Sequence, residues 1–394
     1  MSEPSDEARA RRRKRWGLAA KLAFAAILFA LVARAVPWSD RLVWTGEREL
    51  ELRGEIVGSW SGERVRFRVE LGELERADLP VEVRAALGAD GEIEVERGGS
   101  LDPRPGMPRV FGDMDPRGLA QAFAWMAFGI LVTSTRWWRL LAAAGCRTGW
   151  WNALRLTFLG YFFNIVVPGL TGGDLVKAVL AAKENPGKRA QAAVSVFVDR
   201  VIGLFALILL GAAALLWLGP EFAELRLPVL LSLAGGAAGA ALYAAPPLRR
   251  LVRFDALVQR LPLGGAIKQV DEAILVYSRR LWTVALALSL SFANHAAVIL
   301  AIVALGRAFG ETTLGVVRYA AAVSIANTAA ALPVAPGGWG LREAAYAVLF
   351  EQLGSTATLG LAVSIGFGLC LFAIGLFGGL FLLLPGARAE LRNV

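Results

Sequence analysis

The sequence predicts an all-α polytopic membrane bundle with two re-entrant broken helices in inverted repeat, plus a small extracytoplasmic β-domain inserted after the first span. Three observations carry that reading. Hydrophobic residues fill 56% of the 394 positions and charged residues 19%, with a mean hydropathy of +0.52. That is too apolar for a chain that must also cover itself with a wet surface. Long apolar runs alternate with short basic loops, as positive-inside anchoring requires. Residues 37–116 break the pattern: they hold 18 of the 33 acidic and 11 of the 42 basic residues, a net −7 against +16 for the rest.

Residues 1–16 are a basic cytoplasmic N-terminus with Arg11, Arg12, Arg13, Lys14 and Arg15, and the apolar run 17–36 is the first transmembrane helix. At about 1.5 Å per residue that run spans roughly 30 Å of hydrocarbon. Ala33-Arg34-Ala35 also has the form of a signal cleavage site; with or without cleavage, residues 37–116 lie outside. In this insert, Glu49 to Glu55 and Arg64 to Glu70 alternate apolar with charged residues. Period-two alternation reads as half-buried strands, four or five of them with the Gly- and Pro-rich turns between.

Residues 118–384 form the membrane domain. A span at about 118–135 is closed by Arg136-Trp137-Trp138-Arg139, read as an aromatic and basic interface anchor. Leu156 to Val167 is only 12 residues, too short to cross, and ends in Pro168-Gly169-Leu170-Thr171-Gly172-Gly173-Asp174. A second short helix runs to about Ala182, and basic residues flank both ends, so the segment is a hairpin open to the cytoplasm. Next come spans at 190–217 and 228–245, a basic interfacial segment at 246–280 and a span at 281–305. Residues 314–332 then lead into Pro333-Val334-Ala335-Pro336-Gly337-Gly338-Trp339-Gly340, a short helix to Leu353 and a last span at 356–384. For the tail 385–394, with Arg388 and Arg392, to be cytoplasmic, this second break must enter from and return to the outside. A full crossing by 314–332 is the alternative.

The two breaks align without gaps. Pro168-x-x-x-Gly172-Gly173-x-x-x-Lys177 matches Pro333-x-x-x-Gly337-Gly338-x-x-x-Arg342, with Asn164 before the first and Asn327 before the second. Hairpins facing opposite sides are the sequence form of an inverted repeat around a midplane site. Pro ends one arm and Gly-Gly turns the backbone. The new helix starts with unpaired N–H groups, which bind anions. Lys177 and Arg342, placed one turn inside, would add charge. The structural alternative is that Gly-Gly permits close packing and Lys177 snorkels to the interface.

Other intramembrane groups extend the candidate site. Asp199 and Arg200 lie in an apolar run and must be paired, and as sequence neighbours they should pair with different groups, from among Lys177, Arg342, Asp174 and Glu343. Asn294-His295 reads as an interhelical hydrogen-bonding pair and Gly375-x-x-x-Gly379 as helix packing. Two Cys, Cys146 and Cys370, and one His, His295, exclude a disulfide framework and a Cys- or His-based metal site, and no cofactor is expected. The basic residues sit in loops, not on one face, which argues against nucleic acid as a partner.

Asn164…Pro168…Gly172-Gly173-Asp174…Lys177, Ser195…Asp199-Arg200 and Pro333…Gly337-Gly338…Gly340…Arg342-Glu343 resemble the flippase-like family, the transmembrane region of lysylphosphatidylglycerol synthases and their free-standing relatives. The resemblance covers about 118–384 and implies a lipid-translocating bundle. The chain departs from that pattern in Lys177, where Arg is expected, and in the long insert. No soluble aminoacyl-transferase domain is present, so lipid aminoacylation is not expected. The reading is a transporter of an anionic phospholipid or polyprenyl-phosphate-linked lipid. Its substrate-binding residues would be Asn164, Gly172, Gly173, Asp174, Lys177, Asp199, Arg200, Asn327, Gly337, Gly338, Arg342 and Glu343, in a bacterial cytoplasmic (inner) membrane. The rival is a membrane glycosyl- or phosphotransferase using Asp174, Asp199 or Glu343 as acid or base. A third class is a regulatory protein whose insert binds an extracytoplasmic protein partner.

Overall fold

The computed structural model describes residues 34, 36–45, 49–60, 62, 64–74, 79–88, 90–96, 99–166, 172–220, 223–244, 247, 250, 264–331 and 340–383. The basic N-terminus, nearly all of the first span, Pro168, Gly337, Gly338 and the tail 385–394 lie outside the described residues.

The insert is a curled five-stranded antiparallel sheet, in the order β4-β3-β2-β1-β5. The strands are β1 (Asp40–Thr45), β2 (Glu49–Val57), β3 (Arg64–Val69), β4 (Glu92–Glu96) and β5 (Leu101–Arg104). Short helices α1 (Leu71–Leu74) and α2 (Val81–Ala86) lie between β3 and β4. The alternation seen in the sequence sets the register. Val65 faces Val95 and Phe67 faces Ile93, all buried, while Arg64 and Arg68 on the other face sit opposite Glu96 and Glu92. Pro103 is on the edge strand, where its missing N–H costs no ladder bond. The sheet curls far enough that β4 and β5 touch.

A buried carboxylate fixes the exit from the sheet. Asp40 accepts hydrogen bonds from the Ile56 N–H (2.9 Å), the Gly106 N–H (2.7 Å) and Arg109 Nε (2.7 Å). Arg109 also donates to the Ile56 carbonyl at 2.7 Å. This ties β1, β2 and α3 (Met107–Gly112) together just before the membrane domain begins.

That domain is a helical bundle. Its helices are α4 (Pro116–Ala143), α5 (Trp150–Val166), α6 (Gly172–Glu184), α7 (Arg189–Trp217), α8 (Ala223–Ala244), α9 (Gly264–Ser278), α10 (Leu281–Ala308), α11 (Val316–Ala330), α12 (Leu341–Gln352) and α13 (Ala357–Gly379). Among the described residues, four stretches are long and apolar enough to cross a membrane: Pro116–Ala143, Pro186–Trp217, Leu281–Ala308 and Ala357–Leu383. The chain is thus a multi-pass membrane protein.

α4 and α10 are antiparallel partners. The Asp115 N–H donates to the Ala308 carbonyl at the insert end, and Thr133 donates to Asn294 deeper in. His295 bonds the Gly203 carbonyl of α7 at 2.8 Å, so Asn294 and His295 do join helices. Gly375, Gly378 and Gly379 let α13 close on Tyr161, Phe158 and Phe162 of α5, the packing role expected of this stretch.

Two elements are longer than the sequence indicates. α4 continues through Arg136-Trp137-Trp138-Arg139, and Arg136 and Trp137 are buried; they are not an interface anchor. α5 begins at Trp150, which makes its arm 17 residues instead of 12. Asn152 and Arg155 hide that start in the sequence, because they look like loop polarity. Both instead bind Glu184 at the end of α6, Arg155 at 3.0 Å.

That contact also closes the first helix pair. The start of α5 and the end of α6 lie side by side, at the same end of the bundle as the end of α4: the Asn185 side chain binds the Arg147 N–H and Thr148. The second pair closes likewise, with Arg318 at the start of α11 donating to the Leu353 carbonyl just past α12 (2.7 Å). Its open end lies by the insert, where Arg104 is 3.6 Å from Glu351 and Trp60 packs on Gly310. The two joined pairs therefore open at opposite ends of α4 and α10. Between α10 and α11, fully buried Glu311 accepts from the Thr313 N–H and hydroxyl, the Leu314 N–H and the Tyr319 hydroxyl.

Candidate functional site

The first joined pair is built on a close approach. A methyl group on Gly173 would collide with the Gly160 carbonyl of α5, so α6 can cross there only as glycine. The Gly173 N–H donates to Asn164 Oδ1 at 2.9 Å. Asn164 thus satisfies one of the free donors at the start of α6.

Among the described residues, five charged side chains gather around this crossing. Arg200 on α7 donates to Asp174 on α6 at 2.7 Å. Arg136 on α4 holds Asp199 on α7 with two parallel bonds, Nε to Oδ1 at 2.7 Å and Nη2 to Oδ2 at 2.9 Å, and reaches Ser291 on α10 with Nη1 at 2.7 Å. Lys177 on α6 is 6% exposed. Its Nζ stands 3.8 Å from the Trp137 ring centroid, and no carboxylate among the described residues is in ion-pair contact with it. Trp137 is itself held by its indole N–H on Ser195 (3.0 Å).

Asp199 and Arg200 do pair with different groups, as neighbours on a helix must. Asp174, the partner of Arg200, is one of the four candidates the sequence offers. The partner of Asp199 is a correction: it is Arg136, which the sequence pattern places at the interface. Arg136 and Asp199 lie at similar depth, seven residues before the end of α4 and ten after the start of α7. The Arg200 side chain is 62% exposed. A guanidinium facing hydrocarbon would cost roughly 3 kcal/mol or more, so this side of the cluster opens to water or headgroups.

The second break differs. Arg342 is the second residue of α12, not one turn in, because Gly340 takes a left-handed backbone (φ 85°) and the helix starts only after it. Glu343 accepts from the Gly340 N–H at 2.6 Å and caps the helix with its other oxygen turned to Arg342 Nη2 at 2.8 Å. Ser364 of α13 binds both partners at 3.1 Å. Here sequence neighbours do face each other, because a first-turn Glu folds back over the helix start. Asn327 lies in the last turn of α11 and its carbonyl accepts from the Ala331 N–H.

The structure thus gathers Asn164, Gly172, Gly173, Asp174, Lys177, Asp199 and Arg200 on one side, with Arg136 and Trp137 added. Arg342 and Glu343 sit apart, on α12 against α13. Among the described residues no group of three or more His, Cys, Asp or Glu could hold a metal ion.

Comparisons with known proteins agree with this architecture. The family model described as "Lysylphosphatidylglycerol synthase TM region" matches residues 106–379. A UPF0104 membrane protein of Pyrococcus horikoshii is 26% identical over 297 residues, which covers 68% of this chain and 87% of its own length. No solved structure matches.

Proposed function

The chain belongs to the family of the lysylphosphatidylglycerol synthase transmembrane region, and on that footing we propose that it moves an anionic lipid between membrane leaflets. The observation that carries this is Lys177: a buried ammonium among apolar helices, with an aromatic face beneath it and no carboxylate partner among the described residues. Desolvating such a charge costs several kcal/mol, of which the face of Trp137 returns on the order of 2 kcal/mol. A lipid phosphate would offset the rest. Arg200 at the exposed rim would meet the headgroup first, and Lys177 would hold it inside.

In this reading the two joined helix pairs are re-entrant halves of an inverted repeat, in an inner membrane with both termini cytoplasmic. The second break would be the counterpart stage: Asn327, Gly337, Gly338 and the intact Arg342–Glu343 pair would meet the headgroup there. The lipid is a phospholipid or a polyprenyl-phosphate-linked one. The transferase reading is the weaker, because Asp174, Asp199 and Glu343 are all held in ion pairs and none is poised as acid or base.

The test is a leaflet-resolved lipid assay in proteoliposomes, with candidate sugar donors present and absent. Lipid movement above protein-free vesicles without donor is the expected result. Product formed only with donor, and no movement, would replace transport by transfer.

A further inference from the structure

The first cluster has a countable charge. Arg136, Lys177 and Arg200 face two carboxylates, Asp174 and Asp199. Each carboxylate is held by its own guanidinium at 2.7 Å, so those four charges cancel in pairs. The break between α5 and α6 is Val167-Pro168-Gly169-Leu170-Thr171 and adds none. Among the described residues one positive charge is left over, on the buried Lys177. At the second break Arg342 and Glu343 cancel each other and leave the count unchanged.

From this we infer that the headgroup this site accepts is a phosphodiester with a single net negative charge; the inference rests on the transport reading above. One phosphodiester charge neutralises Lys177 and leaves both Arg–Asp pairs intact. A phosphomonoester or diphosphate brings a further charge, which only Arg136 or Arg200 could meet. Drawing either away strands a carboxylate, and for the buried Asp199 that penalty is severe. A zwitterionic headgroup brings an ammonium that needs an acceptor, and both carboxylates are already engaged.

The experiment uses the full chain in proteoliposomes with trace acyl-labelled lipids at about pH 7, where a phosphate monoester carries about 1.5 to 2 negative charges. Phosphatidylglycerol, phosphatidic acid and phosphatidylcholine carry the three charge states. Phosphatidylglycerol is expected to cross at least about tenfold faster than either of the others, a difference of about 1.4 kcal/mol. In Lys177→Met the cluster is neutral, and the preference over phosphatidylcholine should disappear; in Lys177→Arg it should persist. Phosphatidic acid crossing faster, or all three crossing alike in the unaltered protein, overturns the charge match and leaves transport standing. No movement of any lipid above protein-free vesicles overturns the transport reading itself. If Lys177→Met fails to insert, the comparison of the three lipids in the unaltered protein and in Lys177→Arg decides the matter.

Discussion

Arg136 grips Asp199 through two parallel hydrogen bonds, across 63 positions of sequence and between two different helices. The pair is nearly sealed from solvent, with both side chains 5% exposed. It lies where the apolar core shared with the insert, reaching Ile130 on α4, gives way to a second core that starts at Trp137.

Arg136→Leu strands Asp199 and should cost about 3–5 kcal/mol. The double variant Arg136→Leu with Asp199→Leu should recover most of that loss, since a buried pair is replaced by apolar side chains of similar size. Melting in detergent checks both. A single variant that melts like the unaltered protein would mean the pair is not the clamp its geometry implies.

Lys177 and Arg342 should respond in opposite directions. Lys177→Met removes a buried charge that has no carboxylate in ion-pair contact among the described residues, so melting should hold or rise while lipid movement drops at least about tenfold. Arg342→Met leaves Glu343 buried without its cation and should lower stability by roughly 3 kcal/mol. Parallel losses of melting temperature in the two variants would show that Lys177 is as structural as Arg342.

Gly173→Val should destabilise by about 1–3 kcal/mol through overpacking against the Gly160 backbone. Gly239→Ala is the control: a methyl there meets nothing within 4 Å, and the change should stabilise α8 by up to about 1 kcal/mol. The ordering of the two melting temperatures is the readout.

The expected extracytoplasmic placement of the insert can be checked with a cysteine at the exposed position Glu70. Both native cysteines, Cys146 and Cys370, are buried and should stay silent. An impermeant maleimide should label Glu70→Cys in intact cells. Labelling only after the membrane is opened would invert the topology.

The sequence shows some of this architecture plainly and hides the rest for definable reasons. Strand alternation such as Arg64 to Glu70 is a local signal, and so are the Gly-Gly breaks, because backbone freedom and short apolar arms are visible in a few residues. The rule that helix neighbours point apart correctly separates Asp199 from Arg200. It fails at Arg342 and Glu343, since it assumes a regular helix and these two sit in a first turn. Arg136 is hidden by its company: beside Trp137, Trp138 and Arg139 it reads as an interface residue, and only the packing of α4 on α7 reveals a buried clamp. Glu311 gives no warning either, because three of its hydrogen-bond donors come from a turn whose shape no spacing rule encodes and the fourth is the Tyr319 hydroxyl of α11.

The seating of the sheet on the bundle has a mechanical side. Asp40 and Arg109 lock the sheet to α3, the Asp115 N–H staples the entry of α4 to α10, and Trp60 rests on Gly310. Arg104 then reaches Glu351 at the open end of the second helix pair. Seated this way, the insert would act as a lever arm on the bundle, and a load on the sheet would reach Glu351 first, at the far end of α12 from Gly340 and Arg342.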